Sequence, residues 1–112
     1  MKWKQNKYHN KKVEWHGEQF DSIKERDRYI ELLLMQRARM INNLSRQVHF
    51  ELTPNTHVNG EFIRKSEYVA DFTYWDKDGH FVVEDCKGFK TDTYILKKKM
   101  LLYRYGYLIK ET

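Results

Sequence analysis

The 112-residue chain has one cysteine, one proline and five glycines, and each scarcity excludes something. A lone Cys86 rules out an internal disulfide and suits a reducing cytosol. None of the five histidines (His9, His16, His49, His57, His80) stands at paired metal-ligand spacing, with another histidine or with Cys86, which argues against a structural zinc site. The glycines are scattered singly, so there is no glycine-rich phosphate loop, and no Gly-x-Ser-x-Gly elbow occurs. A single cysteine beside an acidic run reads as a packed strand residue rather than a nucleophile. No apolar run approaches the ~18 residues of a membrane span. The opening MKWKQNKYHNKK is basic but has no apolar signal core, so a cytoplasmic protein with no membrane partner is expected. Repeats, linkers and low-complexity segments are also missing, and one domain over residues 1–112 is expected.

Charge is plentiful. Twenty-one Lys and Arg stand against sixteen Asp and Glu, a net charge of +5. A basic balance in a small domain fits a polyanionic partner such as nucleic acid, and equally fits ordinary solubility charge. Hydrophobic residues make up 40% of the chain, enough for one modest core.

Taken in order, residues 1–11 read as a flexible basic arm. Lys12–Trp15 and Glu18–Phe20 suit a small hairpin around His16-Gly17. Ser22 with Glu25 three residues later forms a capping-box signature and opens a helix. Ile23, Tyr29, Ile30, Leu33, Leu34, Met40 and Ile41 recur at helical spacing, so the helix is expected to run to about Ile41 and to end at Asn42-Asn43. Arg46–Thr53 alternates Val48, Phe50 and Leu52 with polar residues, the pattern of a half-buried strand that Pro54-Asn55 stops. Thr56–Ser66 suits an exposed loop or short hairpin tip around Asn59-Gly60. Strands follow near Glu67–Trp75 and His80–Lys87. Gly88 breaks the second, and Thr91 or Asp92 caps a helix that Gly106 ends. Tyr107–Lys110 reads as a last short strand. The order is hairpin, α, β, β, β, α, β, an α/β domain.

The most informative stretch is Tyr68–Gly88, YVADFTYWDKDGHFVVEDCKG. Asp76-Lys77-Asp78-Gly79 has the chemistry of a type I turn followed by a glycine bulge, which pairs Asp76 with His80. That register sets Asp71 directly opposite Asp85, and Val69 opposite Lys87. Facing side chains in an antiparallel pair have β-carbons roughly 5 Å apart, and like charges so placed are destabilising unless neutralised. A divalent cation would neutralise them. With one more loop residue, Glu84 rather than Asp85 would face Asp71; in the three-residue register Glu84 points to the other face, beside Phe72, as a supporting carboxylate. Glu25 has two readings, cap or site, since it lies one turn before Tyr29 on the flank of the apolar stripe. Lys90 and the Lys97–Lys99 run read either as a solvated face or as phosphate contacts.

Asp71, then Asp85-Cys86-Lys87 on the second strand of a hairpin, with Glu25 on a preceding helix, resembles the PD-(D/E)XK nuclease superfamily. More narrowly, the chain resembles the small nuclease-like proteins carried by bacteriophages and prophages. The matching stretches are YHNKKVEWHGEQFDSIKERDRYIELLL, YVADFTYWDKDGHFVVEDCKGFKTDTYILKKKML and the closing YLIK. Ala70 stands where the superfamily's name has proline. The resemblance implies a restriction-endonuclease-like core of order α-β-β-β-α-β, a mixed sheet flanked by two helices, here preceded by the N-terminal β-hairpin. It implies an endonuclease that hydrolyses DNA phosphodiesters with Mg²⁺ or Mn²⁺, branched or junction DNA being one candidate substrate, in phage DNA metabolism within a bacterial host. Glu25, Asp71, Asp85 and Lys87 would form the catalytic set. Asp71, Asp85, the Cys86 carbonyl and Glu25 would supply oxygen ligands to the metal. Lys90, Lys97 and Lys98 would contact DNA, and a homodimer would bring two sites to two phosphates. Two other readings stand beside this one. One is a non-catalytic nucleic-acid-binding accessory protein that retains the fold. The other is a protein-interaction module using Trp3, Trp15, Tyr68 and Tyr74 as an aromatic surface.

Overall fold

The computed structural model describes residues 12–87 and 89–112. The expected basic arm over residues 1–11 and the strand break at Gly88 lie outside the described residues.

Strands β1 (Val13–Trp15) and β2 (Glu18–Phe20) pair antiparallel, and the two turn residues between them, His16 and Gly17, both have positive φ. Helix α1 (Ile23–Arg37) then starts on Ser22, whose hydroxyl accepts from the Glu25 N–H at 3.0 Å. The helix ends four residues before Ile41, where it was expected to reach. Arg39 takes a left-handed φ of 64°, its N–H donates to the Gln36 carbonyl, and the Met40 N–H donates to the Met35 carbonyl. This is a Schellman ending with arginine in the place glycine usually takes, so no composition signal marked it. Ile41 therefore belongs to the next strand and is buried against Phe72 and Tyr74. The helical stripe is also rotated from the expected one: Leu32 is fully buried with Glu25, while Ile23, Leu34 and Met40 are exposed.

Strand β3 (Ile41–Thr53) runs through Asn42-Asn43, which were expected to be the helix stop. A small separate hairpin follows, β4 (Thr56–Val58) and β5 (Glu61–Ile63), turning on Asn59-Gly60. Next come β6 (Ser66–Asp76), β7 (Phe81–Asp85), α2 (Asp92–Tyr105) and β8 (Lys110–Glu111). Thr91 is the N-cap of α2, its hydroxyl accepting from the Tyr94 N–H at 3.0 Å, and Gly106 at φ 78° ends the helix. The last strand is shorter and later than Tyr107–Lys110, because Tyr107 and Ile109 turn into the core instead.

The main sheet has the order β3-β6-β7-β8, antiparallel except for the parallel β7–β8 pair, so it is mixed. Strand β7 separates its two faces. Val82 and Cys86 pack into the cluster of Leu32, Phe72 and Tyr74 beneath α1. Phe81 and Val83 pack with Tyr94, Leu101 and Ile109 beneath α2. Burying a side chain such as Leu32 or Leu101 contributes about 1.5–3 kcal/mol, and the two helices thus sandwich the sheet. Tyr68 and Tyr74 belong to these two cores, one each, which removes them from any aromatic docking surface.

Candidate active site

The hairpin between β6 and β7 turns as its residues demand. Gly79 has φ 83°, its N–H donates to the Asp76 carbonyl at 3.1 Å, and the Asp76 N–H donates to the His80 carbonyl at 2.9 Å. The loop therefore holds three residues, and the ladder runs Trp75–Phe81, Tyr74–Val82, Thr73–Val83, Phe72–Glu84. Carried one step further, that register would set Asp71 opposite Asp85, and the two carboxyls are close enough to share a hydrogen bond. The ladder stops there, and Val69 does not pair with Lys87 but only with His49 on β3. In place of a main-chain bond, Asp71 Oδ2 accepts from the Cys86 N–H at 2.8 Å.

Strand β6 also changes sides at this point. Tyr68 and Ala70 pack with α2, whereas Phe72 and Tyr74 pack with α1, although regular alternation would put all four on one face. Across β3 the pairs Arg46–Phe72 and Val48–Ala70 are made, but the Gln47–Asp71 pair between them is missing, and Gln47 has φ 51°. The aspartate thus sits where the strand twists over and the sheet opens.

Electrostatics follow from this crowding. Burial, a hydrogen bond shared with Asp85 and the charge of Asp85 push the Asp71 carboxyl up to about 7. Glu25 is 3% exposed, and burial first, then the charge of Asp71, raise its carboxyl as well. Its Oε1 accepts from the Asp21 N–H and its Oε2 from Gln47 Nε2, each at 3.1 Å. The cap reading of Glu25 holds in its backbone, whose N–H donates to Ser22 Oγ at 3.0 Å, while its carboxylate lies in the field of Asp71. Asp85 is buried and its Oδ2 accepts from the Tyr68 hydroxyl at 2.5 Å. Lys87 Nζ lies 3.9 Å from Asp85 Oδ1 and 4.6 Å over the ring of Tyr94. Cys86 sets its Sγ 3.3 Å from Thr112 Oγ1, and burial pushes its thiol up to about 11, far from a thiolate.

Glu84 faces the other way, beside Phe72. It is fully buried, 2.5 Å from Arg28 Nε and 2.6 Å from the Tyr74 hydroxyl, a structural ion pair beneath α1. The lysines of the expected DNA contact are placed differently from one another. Lys90 and Lys98 are held by Glu111 at 2.9 and 3.1 Å, while Lys97 has no acidic partner among the described residues. Glu111, the parallel neighbour of Asp85, also accepts from the Tyr94 hydroxyl, and these three donors pull its carboxyl down to about 2.

Sequence reasoning missed Arg46, Gln47 and Glu111, and read Tyr68 as a docking aromatic rather than as the partner of Asp85. Arg46 is the most connected of these. It donates to Glu18 at 2.7 Å and to the Gln19 carbonyl at 2.9 Å, stacks 4.0 Å over Phe20, and comes within 3.5 Å of Glu25. Nothing in the alternating pattern of RQVHFELT distinguishes an arginine that faces this network from one that faces water.

A different trio, Asp76, Asp78 and His80, brings its ligand atoms within 4.8 Å of one another; among the described residues Glu25, Asp71 and Asp85 do not close to that spacing. The turn itself explains that trio, since Asp76 Oδ1 already accepts from the N–H groups of Asp78 and His80. No helix among the described residues is long and apolar enough to cross a membrane.

Residues 5–111 match the model of a family described as a protein of unknown function, DUF1064, and the chain belongs to that family. No curated protein and no solved structure matches it.

Proposed function

We propose that this DUF1064 protein is a metal-dependent DNA endonuclease of the PD-(D/E)XK type. The observation that carries the reading is the Asp71–Asp85 pair: two carboxylates opposed across strands, half-buried and buried, with Asp71 pushed up to about 7. Such a pair requires either a proton or a cation, and its donors are hard oxygens suited to Mg²⁺ or Mn²⁺. Asp71 and Asp85 would hold the ion, with the Cys86 carbonyl and Glu25 as further oxygen donors. When bound, the metal would polarise a phosphate oxygen and lower the pKa of a water bound to it.

The chain's own residues divide the remaining work. Tyr68 fixes one oxygen of Asp85, and the Cys86 N–H fixes one oxygen of Asp71. Lys87, held between Asp85 and the face of Tyr94, places a positive charge beside the two carboxylates, where it would stabilise charge on a phosphoryl group or orient the attacking water. Of the expected DNA contacts, Lys97 has no acidic partner among the described residues, whereas Lys90 and Lys98 are paired with Glu111 and would leave it to reach a phosphate. The element order also supports the reading. Without the β4–β5 hairpin, the chain runs α1, β3, β6, β7, α2, β8, which is α-β-β-β-α-β.

The test is cleavage of plasmid and of branched DNA with Mg²⁺ or Mn²⁺, by the wild type and by Asp85→Ala and Lys87→Ala. Metal-dependent products that both variants lose support the proposal. Equal cleavage by all three proteins overturns the site. Salt-dependent DNA binding without cleavage in either metal favours the non-catalytic binder.

A further inference from the structure

Gln47 is an exposed residue in the middle of an edge strand, yet its backbone has φ 51°. For a residue with a Cβ this left-handed conformation is strained, and such strain persists where surrounding structure imposes it. Neither of the usual reasons applies. The position is not a tight turn, and no residue is inserted, because Arg46–Phe72 and Val48–Ala70 keep the same register on either side. Two consequences of the conformation are visible. The Gln47–Asp71 pair drops out of the ladder at the point where β6 changes faces. The Gln47 side chain reaches the buried Glu25 and donates from Nε2 to Oε2 at 3.1 Å.

We infer that Gln47 is a positioning residue, strained so that its amide fixes the Glu25 carboxylate toward Asp71 and its backbone releases Asp71 toward Asp85. This deepens the metal-dependent reading and rests on it. The strain and the hydrogen bond make opposite demands on a replacement, and that makes the role testable. Glycine adopts positive φ without steric cost but has no amide to offer. Asparagine tolerates positive φ better than most residues, but its side chain is one methylene too short to reach Glu25. A residue kept for fold alone would lose stability in both variants and leave metal affinity unchanged.

The experiment measures the thermal midpoint of the metal-free protein and its Mn²⁺ affinity by calorimetry, for the wild type, Gln47→Gly and Gln47→Asn. The expected result is a midpoint at or above wild type in Gln47→Gly, together with Mn²⁺ affinity about ten-fold weaker in both variants, as for outer-shell partners of metal ligands. Wild-type Mn²⁺ affinity in both variants overturns the role of Gln47 while leaving the metal site standing. No Mn²⁺ binding by the wild type overturns both. Should Gln47→Gly fail to fold, Gln47→Asn alone decides between these results.

Discussion

Asp71 accepts a hydrogen bond from the Cys86 N–H at 2.8 Å, one step beyond the last pair of the β6–β7 ladder, and this side-chain bond holds it facing Asp85. The arrangement has a pH signature. With its carboxyl pushed up to about 7 by burial and by Asp85, Asp71 holds a proton more tightly folded than unfolded. Its contribution to stability is full below about pH 4 and is lost as pH rises toward 7. Asp71→Asn keeps an acceptor for Cys86 but carries no charge. Without metal, its melting temperature should match wild type near pH 4 and exceed it by roughly 5 °C at pH 8. Millimolar Mg²⁺ should then close that gap from the wild-type side. A difference that does not depend on pH contradicts this.

Glu84 and Arg28 form the interaction most costly to break by halves. Glu84 is fully buried and its partners are Arg28 and Tyr74. Arg28→Ala leaves that carboxylate without its countercharge and should destabilise by about 3–5 kcal/mol in chemical denaturation. Arg28→Ala combined with Glu84→Gln should recover part of the loss. Because Glu84 lies on the α1 face, away from Asp71, the double variant should bind Mn²⁺ as wild type does. Weakened binding would place Glu84 in the site.

Glu25→Gln separates the two roles of Glu25. The backbone bond to Ser22 is untouched, and one carboxamide oxygen can still accept from the Asp21 N–H. Removing a buried charge from the neighbourhood of Asp71 should leave stability within about 1 kcal/mol of wild type, since the lost hydrogen bonds are offset by relieved repulsion. Metal-dependent cleavage should fall roughly ten-fold or more. Unchanged cleavage would reduce Glu25 to a cap.

Arg39 offers a test of the fold alone. It occupies the left-handed C′ position of α1 at φ 64° and is exposed. Arg39→Gly should stabilise by about 0.5–1 kcal/mol in denaturant melts, because glycine takes this conformation without a Cβ penalty. A loss of stability would mean that the arginine makes a contact that outweighs its strain.

These residues also show why some features were legible in the sequence and others were not. The register that opposes Asp71 and Asp85 was readable because Asp76 and Gly79 obey turn chemistry, and a three-residue loop determines every pair behind it. Glu25 was readable as a cap because its partner, Ser22, is local. The end of α1 was not readable, since Arg39 takes a conformation normally announced by glycine, and Ile41 then looked helical. Gln47 and the face change at Asp71 escaped for the same reason, a positive φ on a residue that does not advertise it. Arg28–Glu84, Tyr68–Asp85 and Glu111 with its two lysines join residues far apart in sequence. Their pairing depends on which faces the finished sheet presents, and periodicity within one element carries no record of that.

The most direct measurement is a crystal structure grown with Mn²⁺, read by its anomalous signal. The proposal predicts a peak bridging Asp71 and Asp85, with Glu25 on the same side and Lys87 beside it. A peak only at Asp76, Asp78 and His80, or none in crystals grown at saturating Mn²⁺, contradicts it.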